Sequence, residues 1–226
     1  MVRESGSVAE RYARSLPVEL LPDTSQLGRR ERTRRELLHA GLFLIAEECT
    51  DVSVLEITRT AGVGQGTFYN HFADKGTFFR DALEYGVDIV ADMIDRVVSP
   101  GGGHAQQCCQ AFRVIGRLHR QVPTLSLALI RRGSEFYTDS SSLAVRVRED
   151  IVKGVEAGEF HVRDVEGATG TMLGAILMLG QRIHNHPEES DGAVADAVSG
   201  DLLQLLGVPG ERIEELLALP VPLLEL

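Results

Sequence analysis

Residues Val54 to Phe72 read VLEITRTAGVGQGTFYNHF and run straight into Ala73-Asp74-Lys75. The spacing predicts a helix-turn-helix. Leu55, Ile57 and Ala61 fall on one face of a short helix, Gly62 can take the left-handed conformation that ends it, and Gln65 to Phe72 can form a second short helix. On that second helix the chemistry divides by face. Phe68 and Phe72 are four residues apart and point inward, Gly66, Thr67 and Asn70 point the opposite way, and Tyr69 and His71 lie on the flanks. Such a helix offers hydrogen-bonding tips to a groove.

Arg29, Arg30, Arg32, Arg34 and Arg35 stand one helix before this motif, and Lys75 stands just after it. The net charge of −10 looks wrong for a protein that meets nucleic acid until it is divided by region. Residues 28–76 carry 7 basic and 7 acidic side chains, whereas residues 77–226 carry 13 and 22. The acidity lies in the C-terminal part. A local basic cluster can then meet a phosphate backbone while a distant acidic region faces solvent.

The run AGVGQGTFYNHFADK resembles the signature of TetR-type transcriptional regulators, through Ala61-Gly62-Val63, Gly66-Thr67-Phe68-Tyr69, Phe72 and Lys75. The resemblance covers about Arg29 to Phe79. It implies an all-α fold, with a three-helix DNA-binding domain over residues 28–76 and a helical effector-binding and dimerisation domain over 77–226; the mix of Ser, Gly, Pro and charges over residues 1–27 predicts a mobile arm before them. Two positions depart from the family pattern: Thr58 replaces a small apolar residue, and Gly64 replaces the serine that caps the recognition helix. Glycine is a tolerable N-cap, so that change costs only a few tenths of a kcal/mol. Carried over position by position, Gln65, Gly66, Thr67 and Asn70 would approach base edges. Ser53, Tyr69, His71, Lys75 and the arginines Arg29, Arg30 and Arg32 would hold phosphates of a double-stranded operator.

Helical spacing continues on both sides. Leu38, Leu42, Ile45 and Cys49 recur along a helix from Arg29 to Cys49, which makes Cys49 a core residue. Asp51 to Ser53 offers N-caps for the next helix, and Asp74 caps a long one reaching Val98. Gly101 to Gly103 break the chain before a helix from Ala105 to Gln121, and Pro123 starts another reaching Arg132. A loop over Gly133 to Asp139 precedes a helix from Ser141 to Ala157, and the last two long helices are read over Asp164–His184 and Asp191–Leu206.

The helix over Asp164–His184 is rich in small residues, which suggests closely approaching backbones. Gly170, Gly174 and Leu177, with Val194, Val198, Leu202 and Leu205 on the next helix, are the expected homodimer face; packing within one chain is the alternative. Met93, Cys109, Phe112, His119, Ile130, Met172, Ile176 and Gln181 are the candidate lining of an effector pocket, although most of such residues serve as core. The chain has no Trp and few aromatics in its C-terminal part, which favours a small apolar or amphipathic effector over a flat cation.

Several function classes find no support. Adjacent cysteines Cys108 and Cys109 point about 100° apart on a helix and have no lysine beside them, so a structural role is favoured over a redox pair. His184, His186 and Glu188 lie at a helix end, where histidine suits the dipole, so no metal is assigned. No nucleophile–base pair, phosphate-cradling loop or cofactor motif is present. Three cysteines and no apolar run of membrane length lead to the expectation of a cytoplasmic protein without a membrane partner. The functional expectation is a homodimeric DNA-binding repressor released by a small molecule. The alternative is a helical ligand-binding protein or enzyme that uses the C-terminal cavity without binding DNA.

Overall fold

A computed structural model describes residue 12 and residues 27–98, 100–132 and 142–222. All regular structure among them is helical: α1 Arg29–Ala46, α2 Val54–Thr60, α3 Gln65–Phe68, α4 Lys75–Val97, α5 Gly103–Gln121, α6 Pro123–Arg132, α7 Ser142–Glu156, α8 Val165–Asn185, α9 Asp191–Leu205 and α10 Gly210–Ala218. A 3-10 turn over Pro100–Gly102 precedes α5. The loop read over Gly133 to Asp139 and, Tyr12 and Leu27 apart, the arm read over residues 1–27 lie outside the described residues.

Two compact units divide the chain within α4. The first comprises residues up to Ile89 together with Val122–Arg132, and the second comprises Val90–Gln121 and the described residues from 142 onward. The functional boundary expected after residue 76 falls in the first turn of α4.

The first unit is built around aromatic rings. Phe68, Phe72 and Phe78 meet with centroids 5.1–5.5 Å apart, and they are buried with Leu37, Leu42, Ile45, Ile57 and Leu83. Gly41 lets α4 approach α1, since a Cβ there would stand 2.7 Å from the Ala82 methyl. α6 packs along α1.

Local backbone chemistry ends the helices. At α1, α2, α7 and α9 the residue after the C-cap is left-handed and the paired amides fold back in a Schellman motif. Glycine takes that position at Gly62, Gly158 and Gly207, but Glu48 takes it after α1, with φ 59°. That early stop corrects the reading of Cys49. The helix ends at Ala46, the chain turns, and Cys49 is exposed. Leu55 is also corrected, being 37% exposed because the seven-residue α2 buries only Ile57 and Thr58.

In the second unit α5 is the central strut, packed by α7, α8, α9 and α10. One apolar cluster joins Ala105, Cys109 and Phe112 of α5 to Ile151, Phe160, Met172, Leu202, Leu203, Leu206 and Leu216. A smaller one holds Leu179, Ile183, Val194 and Ala195. The N-terminus of α5, starting in a glycine run, has no cap of its own. Its amides at His104 and Ala105 donate to the Glu159 carboxylate at 3.0 and 2.9 Å, and these hydrogen bonds hold the Glu159 carboxyl below its ordinary range. α10 has no counterpart in the sequence reading, although Ile213, Leu216 and Leu217 between Gly210 and Pro220 carry a helical period. Arg113, almost fully buried, pairs with Asp196 at 2.9 Å and donates to the Leu219 carbonyl at 2.7 Å, tying the end of α10 to α5 and α9.

Candidate nucleic-acid interface

α2 starts with a reciprocal capping box. The Glu56 amide donates to Ser53 Oγ at 3.2 Å, and the Ser53 amide donates to Glu56 Oε2 at 2.8 Å. The Ser53 hydroxyl also donates to that carboxylate at 2.8 Å. These hydrogen bonds, from the Ser53 amide first, keep the Glu56 carboxyl ionised below its usual range. The serine read as a phosphate contact is therefore already engaged with an anion.

Gly62, at φ 70°, turns the chain into α3. Gly64 is its N-cap and makes no side-chain hydrogen bond. The regular part of α3 is shorter than the expected Gln65–Phe72: it covers Gln65–Phe68 and continues as hydrogen-bonded turns to Phe72. Phe68 and Phe72 are buried, so these two point inward through the turns. Gln65, Gly66, Tyr69 and Asn70 are exposed, and Thr67 and His71 are half-buried. Tyr69, 64% exposed, stands beside an open cleft of about 490 Å³ lined also by Val54, Phe68, Ala73, Asp74, Lys75 and Gly76.

The basic residues separate into two roles. Arg34 pairs with Asp81 and lies 5.0 Å over the Phe72 ring, and Arg35 leans on Glu31 at 3.5 Å; both hold the unit together. Arg29, Arg30 and Arg32 are exposed. Arg32 donates to the Leu27 carbonyl at 3.2 Å, and Arg30 donates to the Asn70 carbonyl at 3.4 Å, which brings α1 beside the recognition segment. Lys75 Nζ, half-buried, donates to the Val52 carbonyl at 3.0 Å, so it joins the start of α4 to the loop before α2 with part of its donor capacity. His71 has its pKa lowered by burial first and then by Arg30 and Arg34. It is a neutral imidazole at pH 7, a hydrogen-bonding group and not a cation.

The other residues singled out by sequence lie elsewhere. Cys109, Phe112 and Met172 sit in one buried cluster of the second unit with Ile176 against it, Met93 is buried in that unit, and Ile130 belongs to the first. His119 and His184 face each other with ring centroids 6.5 Å apart, and Gln181 hydrogen-bonds Asn185. Burial pushes the Cys108 thiol up to about 12 and raises Cys109 as well, which keeps both protonated. Val194 and Leu202 are buried within the protomer, Val198 is half-buried, and Gly170 and Leu205 are exposed, with Gly174 and Leu177 intermediate between them. Met178, 66% exposed on the same α8 surface, was not singled out by the sequence reading. Among the described residues no three His, Cys, Asp or Glu side chains gather as for a metal ion, and no helix is long and apolar enough to cross a membrane.

Family models match both regions of the chain. Residues 37–82 match the description "Bacterial regulatory proteins, tetR family", and residues 105–218 match "Tetracyclin repressor-like, C-terminal domain". Among solved structures the chain is similar to RolR in complex with the ligand resorcinol, at 25% identity and TM-score 0.59, covering 85% of this chain and 96% of that one. It is similar to a TetR-family transcriptional regulator from Rhodococcus sp. at 19% identity and TM-score 0.66, covering 77% and 99%. It is also similar to an ArpA-like gamma-butyrolactone receptor at 20% identity and TM-score 0.58, covering 84% and 97%. No curated protein matches the chain.

Proposed function

The chain belongs to the tetR family of bacterial regulatory proteins and is a DNA-binding transcriptional regulator, not an enzyme; on that premise we propose that it is a homodimeric repressor, released from a palindromic operator by a small molecule. The observation that carries this reading is the recognition segment itself. Buried Phe68 and Phe72 fix its inner side, while Gln65, Gly66, Thr67 and Asn70 offer polar groups outward beside exposed Arg29, Arg30 and Arg32. Base edges require the first group, and phosphates the second, with Lys75, Tyr69 and neutral His71 supplying further donors. Ser53 contributes chiefly by capping α2, since a phosphate approaching its hydroxyl would also approach the Glu56 carboxylate.

A two-fold operator calls for a two-fold protein. The surface of α8 and α9 around Gly170, Gly174, Leu177, Val198 and Leu205 supports a dimer face of closely approaching helices, while Val194 and Leu202 back it from inside. An effector among Met93, Cys109, Phe112, His119, Met172, Ile176 and Gln181 would act through α4, which contributes to both units and spans about 34 Å at 1.5 Å per residue. A shift of α4 would move two recognition segments away from the roughly 34–36 Å spacing of successive major grooves. Resorcinol binding by RolR favours a small ligand carrying a hydroxyl or carbonyl, with His119 and His184, whose rings lie 6.5 Å apart, as candidate hydrogen-bonding partners.

The test is selection of genomic fragments by the purified protein at moderate salt, followed by gel shifts of the sites recovered. Gln65→Ala and Asn70→Ala should relax preference at particular base pairs by about 1–3 kcal/mol each. Lys75→Ala should weaken all sequences alike and lower the salt slope by about one. Recovery of no discrete sites, or unchanged base preference in both carboxamide variants, would reject the assignment.

A further inference from the structure

We propose that α1 clamps the C-terminal end of the recognition segment through Arg30 and Arg34, and that Arg30 is thereby a positioning residue for base reading by Asn70, beyond its contact with phosphate. This rests on the reading of Asn70 as a contact to base edges. Regular helix in α3 ends at Phe68, and turns carry the segment on: the Asn70 amide donates to the Thr67 carbonyl at 3.2 Å, and the His71 and Phe72 amides donate to the Phe68 carbonyl at 2.9 and 3.0 Å. The segment ends there, so no further helical turn donates to its last carbonyls. The Asn70 carbonyl takes its hydrogen bond from Arg30 Nη2, at 3.4 Å and from 40 residues away.

Arg30 does not act alone. Arg34 stands one turn later on the same face of α1, with its guanidinium 5.0 Å over the Phe72 ring and paired at 2.6 Å with Asp81 of α4. His71 lies between the two residues so held, and its imidazole feels both guanidinium charges together with the Glu31 carboxylate. Three consecutive residues thus meet one stripe of α1: Phe72 buried under Arg34, His71 half-buried, and Asn70 exposed beside Arg30. The two arginines differ in what they hold. Arg34 ties a buried ring to α4, so the fold itself needs it. Arg30 is exposed and its hydrogen bond is long, so it contributes little to stability. What it fixes is the backbone unit from which the Asn70 side chain springs. A carboxamide makes paired hydrogen bonds to adenine only when both distances are about 3 Å. A terminal turn that loses its second tether opens locally and swings its side chain out of that register.

The test compares Arg30→Ala, Arg29→Ala and Asn70→Ala in the full chain, on a double-stranded operator recovered by selection and on its single-base variants, over a range of salt. Arg29, exposed and adjacent on α1, is the control for loss of charge. Arg29→Ala should lower the salt slope by about one and leave base preference unchanged. Arg30→Ala should cut discrimination by about fivefold or more at the base pairs where Asn70→Ala does, and the double variant should lose no more discrimination there than Asn70→Ala alone. In the DNA-free protein Arg30→Ala should quicken amide exchange at His71 and Phe72 while leaving the melting midpoint unmoved. A base preference that stays intact in Arg30→Ala, or shifts only at other base pairs, overturns the positioning role. If Asn70→Ala itself changes no preference, the base-reading assignment of Asn70 fails and the positioning role falls with it, while amide exchange still decides the clamp: unchanged rates at His71 and Phe72 refute it.

Discussion

Glu48 takes a conformation that favours glycine. It occupies the left-handed position of the Schellman motif after α1, and its amide and that of Cys49 return to the carbonyls of Ile45 and Leu44. A side chain at that φ costs about 1 kcal/mol relative to glycine. Against this stands an ion pair with Arg131 at 3.2 Å, but Glu48 is 73% exposed there, and such pairs contribute little. Glu48→Gly should therefore raise stability by roughly 0.5 kcal/mol once the entropy of a freer unfolded chain is included. Urea melts check this, and a fall of the midpoint would show that the ion pair outweighs the backbone term. Residue-scale chemistry of this kind also explains why Cys49 lies outside the core: the left-handed turn at Glu48 carries it off the stripe defined by Leu38, Leu42 and Ile45.

Between elements, small residues set how closely helices approach. A Cβ on Gly116 of α5 would overlap the Ala195 methyl of α9 and stand 3.3 Å from Ala195 Cα and 3.4 Å from Leu179. Because one of those contacts is backbone, rotamer changes cannot relieve it and α9 must move. Gly116→Ala should therefore cost about 1–3 kcal/mol despite alanine's better helix propensity. Gly170 on α8 makes the contrast, since no atom lies within 4 Å of its Cβ position. Gly170→Ala should leave the protomer equally stable or up to about 1 kcal/mol more so. In melts at protein concentrations that keep the chain monomeric, Gly116→Ala should lower the midpoint and Gly170→Ala should not, and equal losses would mean that α8 is as tightly packed within the protomer as α5.

Over the whole molecule, stability depends on pH through two largely buried histidines. His39 and His119 are held near 4 in the folded chain, by burial in both and additionally by His184 at His119, whereas an unfolded chain binds their protons near 6.5. The unfolded state takes up more protons between those values, so stability is complete above about pH 6.5 and falls as pH drops toward 4. Each histidine accounts for on the order of 3 kcal/mol. The lowered carboxyls Glu56, Asp74 and Glu159 are lost only at lower pH still. Urea midpoints at pH 7.5 and 5 should differ clearly in wild-type protein and much less in a His39→Gln, His119→Gln double variant. For assembly, Gly174→Glu on the surface of α8 would force an unpaired carboxylate into the proposed dimer face, at a cost of several kcal/mol. Sedimentation should then give monomers and specific operator binding should largely vanish; an intact dimer would move the interface elsewhere.

Features set by neighbouring residues were legible from the sequence alone: the turn at Gly62, the inward pair Phe68 and Phe72, the caps at Ser53 and Asp74, and the bounds of α8 and α9 to within a residue, whereas the caps at Asp164 and Ser190 came from the structure. A cap or an amphipathic stripe is complete within one or two turns, so the code for it is local. Tertiary structure decided what depends on partners far along the chain. Arg113 reaches carbonyls of Leu216 and Leu219 more than a hundred residues away, Glu159 caps α5 from 55 residues away, and Lys75 engages Val52 across 23. The same holds for Val194 and Leu202, whose stripe suits a dimer face or a core equally well until α5 packs against it. Helical periodicity states that one side of a helix must be covered; which residues cover it is chosen only when the distant surfaces meet.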